Sequence, residues 1–137
     1  MATLVTPTSL QKTEFDVTTA EGPSRVTVVT GIIPFGPGAV SSSNDVVSQS
    51  LSLSALVDPT LTPGQFRKAT ATAALAARRG AVDAVPSSFE YSIDDVEASL
   101  DDESGRIELR VDATARVANG NVFIQRITFQ VTTLAKL

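Results

Sequence analysis

Carboxylates are the densest group of reactive side chains in this sequence. Between positions 90 and 103 the chain carries Glu90, Asp94, Asp95, Glu97, Asp101, Asp102 and Glu103. Clustered carboxylates can hold Ca²⁺, and two that converge on one cleft can act as a general acid and base. The turn Asp101–Gly105 lacks the spacing of a calcium-binding loop, and the adjacent Asp94 and Asp95 point to opposite faces of a strand unless a bulge redirects them. We therefore interpret the run as a soluble turn and charged strand edges, with a Ca²⁺ site at residues 101–105 and an acid of raised pKa at Asp94 or Asp95 as alternatives.

Other catalytic residue types are missing or lack their usual context. The chain contains no Cys and no His, which excludes a thiolate nucleophile, an imidazole base and the usual zinc site. Gly36-Pro37-Gly38 lacks the third glycine of a dinucleotide-binding loop, and no Walker sequence occurs. We expect no catalytic residue, no cofactor and no bound metal, and hence a protein that is not an enzyme.

The charge balance bears on possible partners. The formal net charge is −4, whereas a nucleic-acid partner requires clustered Lys and Arg, so no nucleic acid is expected. No stretch reaches the roughly 20 apolar residues of a membrane helix, and Met1–Pro7 has no positive region before an apolar run. We expect no membrane insertion, no signal peptide and cytoplasmic synthesis, with incorporation into a virion or an extracellular particle left open.

The C-terminal half has the clearest pattern of secondary structure. From Arg106 to Val117, apolar residues alternate with polar ones, which is typical of a strand buried on one face. Asn119-Gly120 predicts a two-residue hairpin turn into a strand ending at Leu134. The apolar positions of that strand change parity near Gln125-Arg126, where we predict a β-bulge.

The segment before Arg106 predicts a second hairpin. Its register pairs three apolar residues of one strand with three of the next: Leu100 with Ile107, Val96 with Val111 and Ile93 with Ala113. That register requires a bulge at Asp94-Asp95. The two hairpins would share their central strand and form a three-stranded meander.

Residues 60–80 predict a helix. Thr62 and Pro63 are typical of a helix start and Gly80 of a helix end, and the alanine-rich body favours the helical state. The basic residues Arg67, Lys68, Arg78 and Arg79 lie near the two ends of this segment. The last two suit the negative end of a helix dipole, although an acidic patch on a neighbouring subunit would also explain the group.

The first third predicts three further strands, and together the elements define a fold class. The strand candidates are residues 12–18, 25–33 and 49–57, with a long loop at 34–45 and an extended arm at 1–11. The prediction is an α+β fold, mostly antiparallel β, with about six strands in a sandwich or barrel and one packed helix at roughly 62–79. We expect a single domain over residues 1–137.

These features favour a non-enzymatic structural or interaction subunit that associates with its own copies. Sheet edges and charged strand faces would form a ring, tube or shell, as in virus-like or tail-like particles, with an additional protein partner left open. The predicted interface residues are Arg106, Glu108, Arg110, Asp112, Arg116, Arg67, Arg78, Arg79, Asp101, Asp102 and Glu103. One alternative is a β-sandwich or barrel that binds a small apolar molecule, and another is a His-free enzyme that uses a carboxylate.

Overall fold

A computed structural model describes residues 2–137 and gives an all-β fold of two sheets in which 74% of the chain is strand. The strands are β1 (Thr3–Leu4), β2 (Thr8–Thr19), β3 (Gly22–Pro34), β4 (Gly38–Ser41), β5 (Val47–Val57), β6 (Phe66–Val82), β7 (Ser88–Leu100), β8 (Ile107–Ala118) and β9 (Gly120–Lys136). Mostly antiparallel β is consistent with the sequence, but the predicted α+β class is wrong because no helix occurs in the described range.

Each sheet is built around one long C-terminal strand. The first sheet has the order β1-β5-β8-β7, so β8 is bonded on both sides. In the second sheet β9 pairs with β3 and then β4 along one side and with β6 along the other, while β2 extends the sheet beyond β3. Every pairing is antiparallel except the short one between β1 and β5.

The core lies between the inner faces of the two sheets. Its largest fully buried side chains include Leu53, Leu109, Ile124 and Ile127, which come from strands of both sheets. Removing apolar surface of this size from water stabilises a domain by about 1.5–3 kcal/mol per side chain. Apolar residues therefore alternate with polar ones in β5 and β8 because one face of each strand packs into the core, as the sequence indicated.

The β7–β8 hairpin has the predicted register. Leu100 pairs with Ile107, Val96 with Val111 and Ile93 with Ala113. The ladder skips Asp94, which is the bulged residue between the two registers. The apolar side chains of both strands consequently face the core.

The predicted Asn119-Gly120 hairpin is wrong, and with it the meander. Strands β8 and β9 belong to different sheets, so the turn carries the chain from one layer to the other. Asn119 adopts a φ of 52°, and Gly120 already pairs within the second sheet, with Ser41 and Val82. The apolar residues of β9 do change parity where predicted, because Gln125 and Arg126 are both exposed between buried neighbours.

Asn119 also joins the loops at this end of the molecule. Its buried side-chain amide donates hydrogen bonds to the side chain of Asn44 and to the carbonyl oxygen of Pro86. Its backbone N–H donates to the Ser43 carbonyl, and its own carbonyl accepts from the Asp83 N–H, each at 2.8 Å.

The predicted helix at 62–79 is strand β6, and this is the main correction to the fold. Only the first residues form a turn, in which the N–H groups of Gln65 and Phe66 donate to the Thr62 carbonyl at 3.0 and 3.2 Å. Beyond it the chain pairs with β9 along its whole length. This long ladder with a buried partner strand overrides the weak intrinsic preference of alanine for helix.

The N-terminal third follows the predicted strands with longer boundaries. The loop at 34–45 contains the short strand β4, and the arm at 1–11 contributes β1 and the start of β2. Val5 donates its N–H to the Ser54 carbonyl at 2.9 Å, so the arm is attached to this chain's own first sheet.

Candidate interaction surfaces

Two long edge strands run side by side along one flank of the sandwich. Among the described residues, β6 pairs only with β9 and β7 only with β8, so each leaves one row of backbone groups without a strand partner. On the opposite flank β2 is the edge of its sheet, and β1 covers only Leu53 and Ser54 of β5. Unpaired edges are the places where another strand can add to a sheet.

The edge of β6 is least protected between Ala69 and Leu75. This stretch pairs with β9 in unbroken register and contains no charged side chain and no Pro, whereas register shifts lie on either side of it, between Phe66 and Lys68 and between Leu75 and Arg78. Strand β7, by contrast, carries Glu90, Asp95 and Glu97 and has its bulge at Asp94. Strand β2 has charges and a register shift of its own. Charges and bulges discourage edge-to-edge pairing, so residues 69–75 of β6 form the most accessible stretch of the three edges.

A groove with an apolar floor separates β6 from β7. At one end it encloses about 440 Å³ and is lined by Ala69, Ala71, Val96 and Ala98 together with polar neighbours. These four side chains are half-buried and pack against the core, so the flank exposes apolar surface that neither sheet covers.

The basic residues flank the uncharged part of β6. Arg67 binds the carboxylate of Glu21, whereas Lys68 is exposed and has no ion-pair partner among residues 2–137. Arg78 lies 4.7 Å from the centre of the Phe89 ring. Because this segment is a strand, the helix-dipole explanation for the basic residues is wrong.

Arg79 also stacks on an aromatic ring, that of Phe123 at 5.2 Å. Contacts between a guanidinium and a ring face add modest stability at exposed sites. Both arginines are therefore held in place near the C-terminal end of the edge.

The predicted charged face lies on the outside of the first sheet. Arg116 forms an ion pair with Glu90 at 3.3 Å, and Asp112 accepts a hydrogen bond from Ser52. Arg110 is exposed; Asp112 lies 4.0 Å from it, and Glu97 is its partner in the β7–β8 ladder. The structure thus brings Glu108, Arg110, Asp112 and Arg116 together along β8, while Arg106 lies at the end of the row, 3.9 Å from Asp58.

Asp94 uses its carboxylate within the bulge. Ser92 donates to it at 2.7 Å, and Thr114 donates to its second oxygen. These hydrogen bonds, the one from Thr114 foremost, lower the pKa of Asp94 below its ordinary value. These hydrogen bonds favour the ionised form of Asp94, whereas the alternative of a general acid at this position requires a raised pKa.

The acidic turn is organised by Asp101. Its carboxylate accepts hydrogen bonds from the Ser104 hydroxyl at 2.6 Å and the Ser104 N–H at 3.2 Å, and these bonds lower the pKa of Asp101. Gly105 follows at a φ of 71° and donates its N–H to the Asp101 carbonyl at 2.8 Å. Asp102 and Glu103 point into solvent. Within residues 2–137 no group of three or more acidic side chains is placed to hold a metal ion.

The lowered pKa of Asp101 predicts a pH-dependent contribution to stability. The folded state favours the ionised carboxylate, so its contribution is present above the unfolded-state pKa of about 3.9 and is lost as pH falls through the lower folded-state value. When the pH is lowered from about 6 to about 2.5, we expect the free energy of unfolding of Asp101→Asn to fall less than that of the wild type, as measured by urea unfolding. Asp102→Asn removes a carboxylate from the same turn and should retain the wild-type pH dependence; equal pH dependence in all three proteins would contradict the role of Asp101.

Strand β2 contains a Ser-x-x-Lys sequence, the spacing at which some enzymes place a serine nucleophile and its lysine partner. Ser9 and Lys12 are three residues apart, but the chain is extended there apart from an irregularity near Ser9, whose φ is 53°. The Lys12 ammonium lies 3.1 Å from Glu14 and 3.7 Å from Asp58. The hydrogen bond and charge of Glu14 raise the pKa of Lys12, which favours the protonated ammonium over a free-amine base.

The glycine-rich segment 36–38 has a packing role. A Cβ atom on Gly38 would lie 1.9 Å from the carbonyl oxygen of Val122, so this position admits only the backbone. The segment leads into β4, whose ladder with β9 begins at Gly38 and Phe123.

The outer face of the second sheet is uncharged over much of its area, a feature that the sequence analysis missed. An open depression of about 530 Å³ there is lined by Thr30, Thr72, Thr128 and Gln130 together with apolar residues that include Ile32, Ala74 and Phe129. The alternation of Thr70 and Thr72 with inward-facing alanines was the available signal. The high alanine content of the segment favoured a helix, so this alternation was not interpreted as a strand.

No helix in the described part of the chain is long and apolar enough to cross a membrane. Comparison with known proteins found no matching family model, no matching curated protein and no matching solved structure.

Proposed function

We propose that this protein is a non-enzymatic structural or interaction subunit that self-assembles through its sheet edges and charged strand faces into a ring, tube or shell. The observation that carries the proposal is the outer edge of β6, which presents an uncharged, Pro-free and regularly paired segment from Ala69 to Leu75 with no second strand partner among residues 2–137. An edge segment without charges, Pro or bulges is a template for pairing with another chain.

The charged face of β8 supplies a second contact surface in this proposal. Arg110 is exposed and only weakly engaged within the chain, and it lies between two other charged side chains of the same row, Glu108 and Asp112. A row of alternating charge selects a complementary surface and orients it more than it adds raw affinity. The β6 edge would then provide backbone pairing, and the face of β8 would restrict how the copies approach.

Placing a lysine on the β6 edge tests the proposal. Thr72→Lys puts a charge on an exposed, outward-facing position, a device by which natural edge strands avoid pairing. We expect the wild type to increase in mass with concentration, measured by sedimentation from micromolar to millimolar, and Thr72→Lys to shift toward the monomer.

Gln130→Lys is the matched control, because Gln130 pairs with Thr72 on the same exposed face but belongs to the central strand β9. It adds the same charge without altering the edge and should associate like the wild type. A wild type that remains monomeric at the highest concentration would overturn the proposed function, and equal effects of the two lysines would show that the edge is not the contact.

A further inference from the structure

The two edge strands of the exposed flank carry opposite charges. Strand β6 has Lys68 and Arg78 on either side of its uncharged segment, whereas β7 carries Asp95 and Glu97. Lys68, Asp95 and Glu97 are exposed and have no ion-pair partner among residues 2–137. Asp95 even lies opposite another carboxylate, Asp112, in the β7–β8 ladder. Glu97 lies opposite Arg110 in the same ladder but forms no ion pair with it, so the flank contains one basic edge and one acidic edge.

The two edges also run antiparallel, and they lie side by side at the same positions along the strand axis. Residues 69–71 of β6 lie beside residues 96–99 of β7, and Arg78 lies beside Phe89 and Tyr91. Residue numbers rise along one strand as they fall along the other. Antiparallel edges with complementary charges are suited to pair, but within one chain they belong to different sheets and form no ladder.

A twofold axis parallel to the strands would let two copies satisfy both edges at once. Such an axis keeps every residue at its own height, so β6 of one copy meets β7 of the second in the same antiparallel relation. Residues that face outward on β6, such as Lys68 and Thr70, would then lie near outward-facing Glu97 and Ser99 of the second copy. Symmetry forms each contact twice.

Pairing of β6 with β6 is the competing arrangement. In an antiparallel β6–β6 ladder centred on the uncharged segment, the Lys68 end of one strand would approach the Arg78 end of the other. The same symmetry would set the acidic β7 edges against each other. Like charges at an interface disfavour association.

We infer that the flank formed by β6 and β7 binds the same flank of a second copy of this chain, with β6 of each copy adding to β7 of the other. This inference rests on the proposed function and specifies its first contact. Each sheet of one copy would continue into the opposite sheet of the second, and the apolar groove between the edges would close.

A charge exchange tests the pairing. Lys68→Glu and Glu97→Lys each introduce two repulsive contacts in the symmetric dimer, so each should weaken dimerisation about tenfold in sedimentation equilibrium. The double variant exchanges both charges and restores the complementary pairs, so its dissociation constant should return to near the wild-type value. Lys12→Glu on β2 and Asp45→Lys in the loop before β5 are control changes of the same charge away from the flank, and thermal unfolding confirms that all variants fold.

The outcomes separate the inference from the proposed function. A wild type that associates, combined with a double variant no better than the single variants, overturns the β6–β7 pairing and leaves self-assembly standing. An effect of Lys68→Glu without one of Glu97→Lys likewise overturns it, because β7 would then lie outside the contact. A wild type without any self-association overturns both.

Discussion

Val111→Pro is expected to prevent the protein from folding. Val111 is 1% exposed on β8 and pairs with Leu53 on one side and Val96 on the other. Proline has no N–H to donate to the ladder and is confined to edges and bulges in natural sheets. The lost hydrogen bond, the unsatisfied partner carbonyl and the distorted strand together should cost about 4 kcal/mol or more, a large part of the 5–15 kcal/mol of a typical domain.

Val111→Ala distinguishes the contribution of backbone hydrogen bonds to stability from that of side-chain packing at this position. Alanine retains the N–H and removes only buried methyl groups, so it should cost about 2 kcal/mol and leave a cooperative transition. Circular dichroism followed through urea unfolding measures both variants. Near-wild-type stability of Val111→Pro would show that β8 is not bonded on both sides.

Gly38→Ala is the second change with a large expected effect. Its Cβ atom would meet three backbone atoms of β9, the Val122 oxygen at 1.9 Å, the Phe123 Cα at 2.6 Å and the Val122 carbonyl carbon at 2.7 Å. Backbone atoms cannot move aside like the tip of a side chain, so β4 would have to separate from β9. We expect a loss of about 3 kcal/mol in the free energy of unfolding.

Gly64→Ala provides the matched control for Gly38→Ala. A Cβ atom at Gly64 would meet nothing within 4 Å. The unfolding midpoint of Gly64→Ala should therefore match or slightly exceed that of the wild type, because the added methyl group reduces the freedom of the unfolded chain. Equal losses from the two substitutions would contradict the close approach of β4 to β9.

The sequence was informative where local pattern and tertiary pairing agree. In the β7–β8 hairpin, alternation fixed the faces, and matching apolar residues across the turn fixed both the register and the bulge at Asp94. Strand β6 was mistaken for a helix because alanine content and the Thr62–Pro63 start signals are local properties. The β9 residues that decide its conformation lie far away in the sequence, from 38 positions between Val82 and Gly120 to 69 positions between Phe66 and Ala135.

The candidate surfaces, too, could be predicted only where local sequence pattern was sufficient. The charged row of β8 followed directly from alternation, since outward positions of a strand can be identified without knowing its neighbours. The flank of β6 and β7 could not be found in this way, because an edge is defined by the absence of a second partner strand. Asn119-Gly120 likewise encodes a sharp reversal of the chain but not the layer in which the next strand lies.

The passage from β8 to β9 through Asn119 has a consequence for how the molecule loses its structure. The middle strand of one layer is followed after a single residue by the middle strand of the other, and Asn119 is bonded to the loops beside it. Separation of the central strand of one layer would therefore disturb the central strand of the other. We expect the two layers to unfold together in one cooperative transition rather than one after the other.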